Sequence, residues 1–133
     1  METRMAQVRT EIIPYIYYSD VGAALDWLAR AFGFKEDMRT PTPSGGVHGE
    51  MNLDGQHIML GQRPGSRPTT VSGELSVGQA IFVYLADVDA HFERARAAGA
   101  KIEKAPEDLP YGRSYGARDL EGHVWYFTTP PKG

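Results

Sequence analysis

Ile13-Pro14-Tyr15-Ile16-Tyr17-Tyr18-Ser19-Asp20 and Phe82-Val83-Tyr84-Leu85-Ala86-Asp87-Val88-Asp89 are written to one plan. Each is an apolar and aromatic run that ends at an aspartate followed by valine. A short side-chain oxygen at that point accepts from the free N–H groups of a helical first turn. Val21, Ala24, Leu25, Leu28 and Phe32 then recur at steps of three and four, the stripe of an amphipathic helix that Gly33 ends. After Asp87 the residues Val88, Phe92 and Ala95 share a face, and Gly99 is the stop.

The restart holds beyond the helices. Asp20 and Asp87 lie 67 positions apart, and so do Val21 and Val88, Gly49 and Gly116, Leu53 and Leu120, and Gly55 and Gly122. An offset that survives a helix, a loop and two strands marks an internal repeat. Strands are predicted at 11–18, 35–40, 46–53 and 56–61, then at 79–86, 101–103, 113–120 and 123–128. Asp54-Gly55 reads as a tight hairpin turn, because its positions need positive φ, and Glu121-Gly122 is read the same way. The expected organisation is one domain over 1–133, with βαβββ units at 11–61 and 78–129. The Gly-, Pro- and charge-rich 62–77 is expected as a linker.

The bulk numbers narrow the partners. Hydrophobic residues are 41% and charged residues 23% of the 133, enough for one core in a soluble domain. Net charge is −3 with no basic stripe, which argues against nucleic acid. No cysteine is present, which removes disulfides, thiolate nucleophiles and Cys-based metal sites. No apolar run approaches the roughly 20 residues of a membrane helix. Met1–Thr10 lacks the pattern of a secretory signal, so a cytoplasmic protein is expected.

These stretches resemble the vicinal oxygen chelate superfamily, which contains glyoxalases, bleomycin-resistance proteins and extradiol dioxygenases. The opening through Ala31-Phe32-Gly33-Phe34 is similar to its first module, and Phe82 to Ala100 to its second. Ala117-Arg118-Asp119-Leu120-Glu121-Gly122-His123-Val124-Trp125 is similar to its terminal hairpin. The resemblance implies an α+β fold in which two βαβββ modules form curved mixed or antiparallel sheets around a cup-shaped pocket. In the superfamily's metal enzymes, ligands come from the first and last strands of each module. Carried onto this chain, those positions are Ile13, Met59, Ala80 and Tyr126. Ile and Ala have no donor atom, Met sulfur is soft and weak, and Tyr is neutral at pH 7. Shifting by one residue offers Gln79 but no carboxylate. The resemblance therefore implies no metal and no cofactor, and it favours the branch that binds and sequesters a compound.

Strand alternation and hairpin counting assign the pocket face. The count around Asp54-Gly55 pairs Glu50 with Met59 and Asn52 with His57. This puts His48, Glu50, His57 and Met59 on one face with Tyr15 and Tyr17. The same count around Glu121-Gly122 puts Tyr115, Ala117 and Tyr126 beside Phe82 and Tyr84, with Arg113 near the edge. These residues, apart from Ala117, are the candidate ligand-binding set, with Glu50 expected among Tyr15, Tyr84, Tyr115 and Tyr126. Aromatic walls with a few polar groups suit a small molecule. His48 and Glu50 fit an acceptor for a cationic group, an acid–base pair, or two ligands of a non-standard metal site. They equally fit a hydrogen-bonded pair on an exposed strand. Trp27 and Trp125 read as core, His91 as solvent-facing, and His123 as a turn residue without a partner. The leading expectation is a metal-independent small-molecule binder acting as a homodimer. The alternative is an enzyme of the same superfamily, a lyase, isomerase or dioxygenase.

Overall fold

A computed structural model describes residues 11–63 and 79–131. The first unit is β1 (Tyr15–Tyr18), α1 (Val21–Phe32), β2 (Lys35–Pro41), β3 (Val47–Leu53) and β4 (Gln56–Gln62). The second is β5 (Ile81–Tyr84), α2 (Val88–Ala97), β6 (Lys101–Leu109), β7 (Gly112–Arg118) and β8 (Val124–Thr129). Each unit forms a four-stranded sheet in the same spatial order, β1-β4-β3-β2 and β5-β8-β7-β6. In each, the first strand pairs in parallel with the last, and the other pairs are antiparallel. The two capping aspartates do equivalent work: Asp20 accepts from the Ala23 amide and Asp87 from the Ala90 amide, both at 3.0 Å. All but Gln62 and Arg63 of the expected linker at 62–77 lies outside the described residues.

Several boundaries move, for physical reasons. β1 begins at Tyr15 rather than Glu11, just after Pro14, which has no N–H to give a ladder. β5 likewise starts at Ile81, not Gln79. β6 runs to Leu109 instead of stopping at Glu103, and its register slips between Lys104 and Glu107, around Pro106. It is the edge of its sheet, where a proline and a bulge are tolerated.

The two hairpins differ most instructively. Asp54 and Gly55 both have positive φ, 52° and 84°, and pair Leu53 with Gln56 as a two-residue turn requires. The second turn is longer. Arg118 pairs with Val124, the Asp119 amide donates to the His123 carbonyl, and the Gly122 amide to that of Asp119. One residue of slip moves every side chain of the strand to the other face. Tyr115 pairs with Phe127 and Ala117 with Trp125, and all four are buried.

The core is continuous between the units. α1 lays Leu25, Leu28 and Phe32 against Met51, Ile58 and Leu60 of its own sheet. Phe32 also meets Trp125 and Phe127 of the second sheet edge-on, with ring centroids 5.3 and 4.8 Å apart. Among the described residues, no helix is long and apolar enough to cross a membrane.

Candidate functional site

Because α1 covers one face of the first sheet, the other face carries the alternate residues outward. Tyr15 is aligned with Met59, Met59 with Glu50, and Glu50 with Met38, so these four form one row across all four strands. The strands of a row are about 4.8 Å apart. Tyr17 is aligned with Gly61 in the next row. That glycine shapes the surface: a Cβ there would stand 2.5 Å from Cε1 of Tyr15, so the ring lies where a side chain would be.

Leaning over Gly61, the Tyr15 hydroxyl reaches Nδ1 of His48 at 3.0 Å, and Nε2 of His48 reaches Oε2 of Glu50 at 3.0 Å. In neutral imidazole one nitrogen donates and the other accepts. A carboxylate can only accept, so Nε2–H faces Glu50, and Nδ1 is the atom that meets the phenol. The three side chains thus form a directed chain along the sheet surface. His57 is on the same face but more exposed, and is paired with Glu11 at 2.7 Å.

The second sheet presents the counterpart. Tyr15 and Phe82 occupy equivalent places in the repeat, as do Tyr17 and Tyr84. Their exposures match as well: 47%, 47%, 48% and 58% in that order. Phe82 is aligned with Tyr126, whose half-buried ring lies over Gly116. Ring contacts at 5.1 and 6.1 Å join Phe82 to Tyr84 and to Tyr111. Tyr111 was not expected at this surface. An aromatic beside a glycine in the β6–β7 turn is the only signal that marks it.

Two expected site residues, Tyr115 and Arg113, stand elsewhere. Tyr115 is in the core, stacked on Phe127 at 5.4 Å and bonded to His91, and burial pushes its phenol well above the ordinary tyrosine range. Ala117 is buried with it. Arg113 points to α2 and the β6–β7 end, held by Asp89 and Asp108 at 3.1 Å each. Consequently Glu50 is grouped with Tyr15 but not with Tyr115, and Tyr84 and Tyr126 belong to the other sheet.

Two further histidines join the units rather than facing solvent. His91 bonds Tyr115 through Nδ1 and the Phe32 carbonyl through Nε2, at 2.7 and 2.9 Å, and it stacks on Phe127 at 4.1 Å. Burial lowers its pKa, so the ring stays neutral. His123 has a partner in Asp119, through Nδ1 at 3.2 Å. That buried carboxylate also accepts from Tyr18 at 2.6 Å and from the Trp125 indole at 3.1 Å. Glu121 completes the joint by accepting from the Ser19 and Asp20 amides and the Ser19 hydroxyl.

Cavities open along the seam between β1 and β5. One of about 850 Å³ is lined by Tyr15, Tyr17, Arg63, Ala80, Phe82 and His123. A second of about 710 Å³ lies between His57 and Leu53 on one side and Tyr84, His91 and Arg94 on the other. Both sizes suit a small organic molecule. The donor set does not suit the superfamily's metal: Ile13, Met59, Ala80 and Tyr126 offer one thioether and one phenol between them. Among the described residues, no three His, Asp or Glu side chains converge into a metal-binding group.

Known proteins give the same picture of fold. The family model described as Glyoxalase/Bleomycin resistance protein/Dioxygenase superfamily matches residues 6–127. The Mycobacterium tuberculosis protein Rv0887c is 31% identical over 135 residues, which covers 97% of this chain and 79% of that protein. TioX from Micromonospora sp. ML1 is 34% identical, with a TM-score of 0.75 over 92% of this chain and all of TioX. TnmS3, an antibiotic binding protein from Streptomyces sp. CB03234, shares the fold at 22% identity, with a TM-score of 0.72 over 94% of this chain and 98% of TnmS3. With one family model spanning both units, this chain belongs to the Glyoxalase/Bleomycin resistance protein/Dioxygenase superfamily.

Proposed function

We propose that this protein binds and sequesters a small organic compound without a metal ion, and does so as a cytoplasmic homodimer. The observation that carries the reading is the paired exposure of Tyr15 and Tyr17 on one sheet and Phe82 and Tyr84 on the other, beside cavities of ligand size. Four large aromatics left half in water at repeat-equivalent positions represent apolar surface that a flat ligand would cover. The poor donors at the superfamily's ligand positions support metal independence. The likeness in fold to TnmS3, described as an antibiotic binding protein, supports a sequestering role. Support for the dimer comes from those half-exposed aromatic faces, which association would cover.

An enzymatic reading has one observation in its favour, the Tyr15–His48–Glu50 chain, which could pass a proton along the sheet. A thermal-shift screen of aromatic compounds, run with and without chelator and followed by mass analysis of the bound compound, separates the two. Sequestration predicts stabilisation that chelator leaves unchanged and a compound recovered intact. A chemically altered compound, or stabilisation only with added divalent metal, refutes it. Sedimentation at micromolar concentration tests the dimer, and a monomer there refutes that part.

A further inference from the structure

We propose, resting on the small-molecule reading above, that the first sheet selects compounds carrying a protonated amine on a planar aromatic body. Glu50 is only half satisfied. Its Oε2 is bonded to His48, while Oε1 takes no hydrogen bond from any described residue. Glu50 makes no ion pair with a lysine or arginine among the described residues. The cation lining the adjacent cavity, Arg63, pairs with Glu121 at 3.9 Å and not with Glu50. The nearby Arg39 is held by Glu36 and Asp26. Oε1 is thus left to accept from a ligand, and a half-buried carboxylate gains most from a cationic donor.

The surroundings of that charge set the rest of the ligand. Met59 lies between Glu50 and Tyr15, and Gly61 leaves the space beside it open to the Tyr15 ring. Tyr15 and Tyr17 are 5.3 Å apart, centroid to centroid. Two strand spacings separate Glu50 from Tyr15, about 10 Å, the length of two or three fused rings. A ring system lying on Met59 and the tyrosines therefore brings an amine at its end to Oε1. Tyr rings also favour a cation over their faces. Tyr15 has a second role as a positioning residue, since its hydroxyl fixes His48 and through it the carboxylate.

The test uses two planar probes of similar shape and opposite charge, each carrying its charged group at the end of two fused rings, 2-naphthylmethylamine and 2-naphthoate, titrated by fluorescence into the full chain and into Glu50→Gln and Tyr15→Phe. The expected result is that the cation binds at least about tenfold tighter than the anion. Glu50→Gln should weaken the cation about ten- to a hundredfold, the factor for a hydrogen bond to a charged group. It should leave the anion's affinity equal or improved. Tyr15→Phe should weaken the cation less than Glu50→Gln does. Melting curves of both variants should match the parent, because neither residue is in the core. Equal or tighter binding of the anion, or a Glu50→Gln variant that keeps the parent's affinity for the cation, overturns the charge assignment alone. Saturable binding of neither probe overturns this proposal, while binding of uncharged aromatics in the screen above would leave the small-molecule reading standing.

Discussion

Tyr18→Phe isolates the joint between the two units. Tyr18 is fully buried, and its hydroxyl donates to Oδ2 of Asp119 at 2.6 Å. Burial, reinforced by the Asp119 charge, pushes the phenol well above the ordinary tyrosine range, so it remains a donor at any working pH. Asp119 is pushed up by its own burial, but hydrogen bonds from His123, Tyr18 and Trp125 outweigh this and hold it below the usual carboxylate range. Phenylalanine keeps the ring and its packing and removes one donor to a buried charge. Such a bond is worth about 1.5–3 kcal/mol. At the average unfolding entropy per residue, a chain of this length loses about 5–10 °C of melting temperature for that cost. Calorimetric melts of parent and variant near neutral pH measure it. A shift within about 1 °C would refute the view that this carboxylate stitches β1 to the β7–β8 turn, as would a variant more stable than the parent.

Two other substitutions probe the same account. Gly61→Ala places a Cβ against the Tyr15 ring, an exposed side chain that can swing away. Stability should therefore change by less than about 1 kcal/mol, while the His48 imidazole ¹⁵N resonances shift as its phenol partner departs; unchanged resonances would contradict the geometry. His91 has its pKa lowered by burial, so the unfolded chain binds the proton more readily than the folded one. Its contribution is present above the ordinary histidine pKa of about 6.5 and is lost as pH falls from there toward the folded value. The parent's melting temperature should accordingly fall more steeply between about pH 6.5 and 5 than that of His91→Gln, and parallel curves would refute a neutral, buried His91.

What the sequence disclosed depended on how local the signal was. Asp20 and Asp87 were readable as caps because a cap is a contact within one turn of helix. Asp54-Gly55 was readable because its φ angles fix both turn type and register, and that register correctly placed His48, Glu50, His57 and Met59 on one face with Tyr15 and Tyr17. Glu121-Gly122 misled because Asp119 organises a longer turn. Its carboxylate accepts the Glu121 and His123 amides, and a one-residue slip then sent Tyr115 inward. Helical periodicity put His91 on a polar side of α2. It could not show that this side meets the end of α1, a contact between units 59 residues apart in sequence. Tyr111 escaped because a turn aromatic has no alternation to be read from.

Affinity selection of the purified protein against a library of small organic compounds in the presence of chelator, with mass analysis of what it retains, decides between sequestration and catalysis. Aromatic compounds should be held at one or two per dimer, recovered with unchanged mass, and lost from a Tyr17→Ala, Phe82→Ala double variant that still melts cooperatively. Retention that appears only when a divalent metal is restored, or recovery of the compounds in chemically converted form, would contradict sequestration.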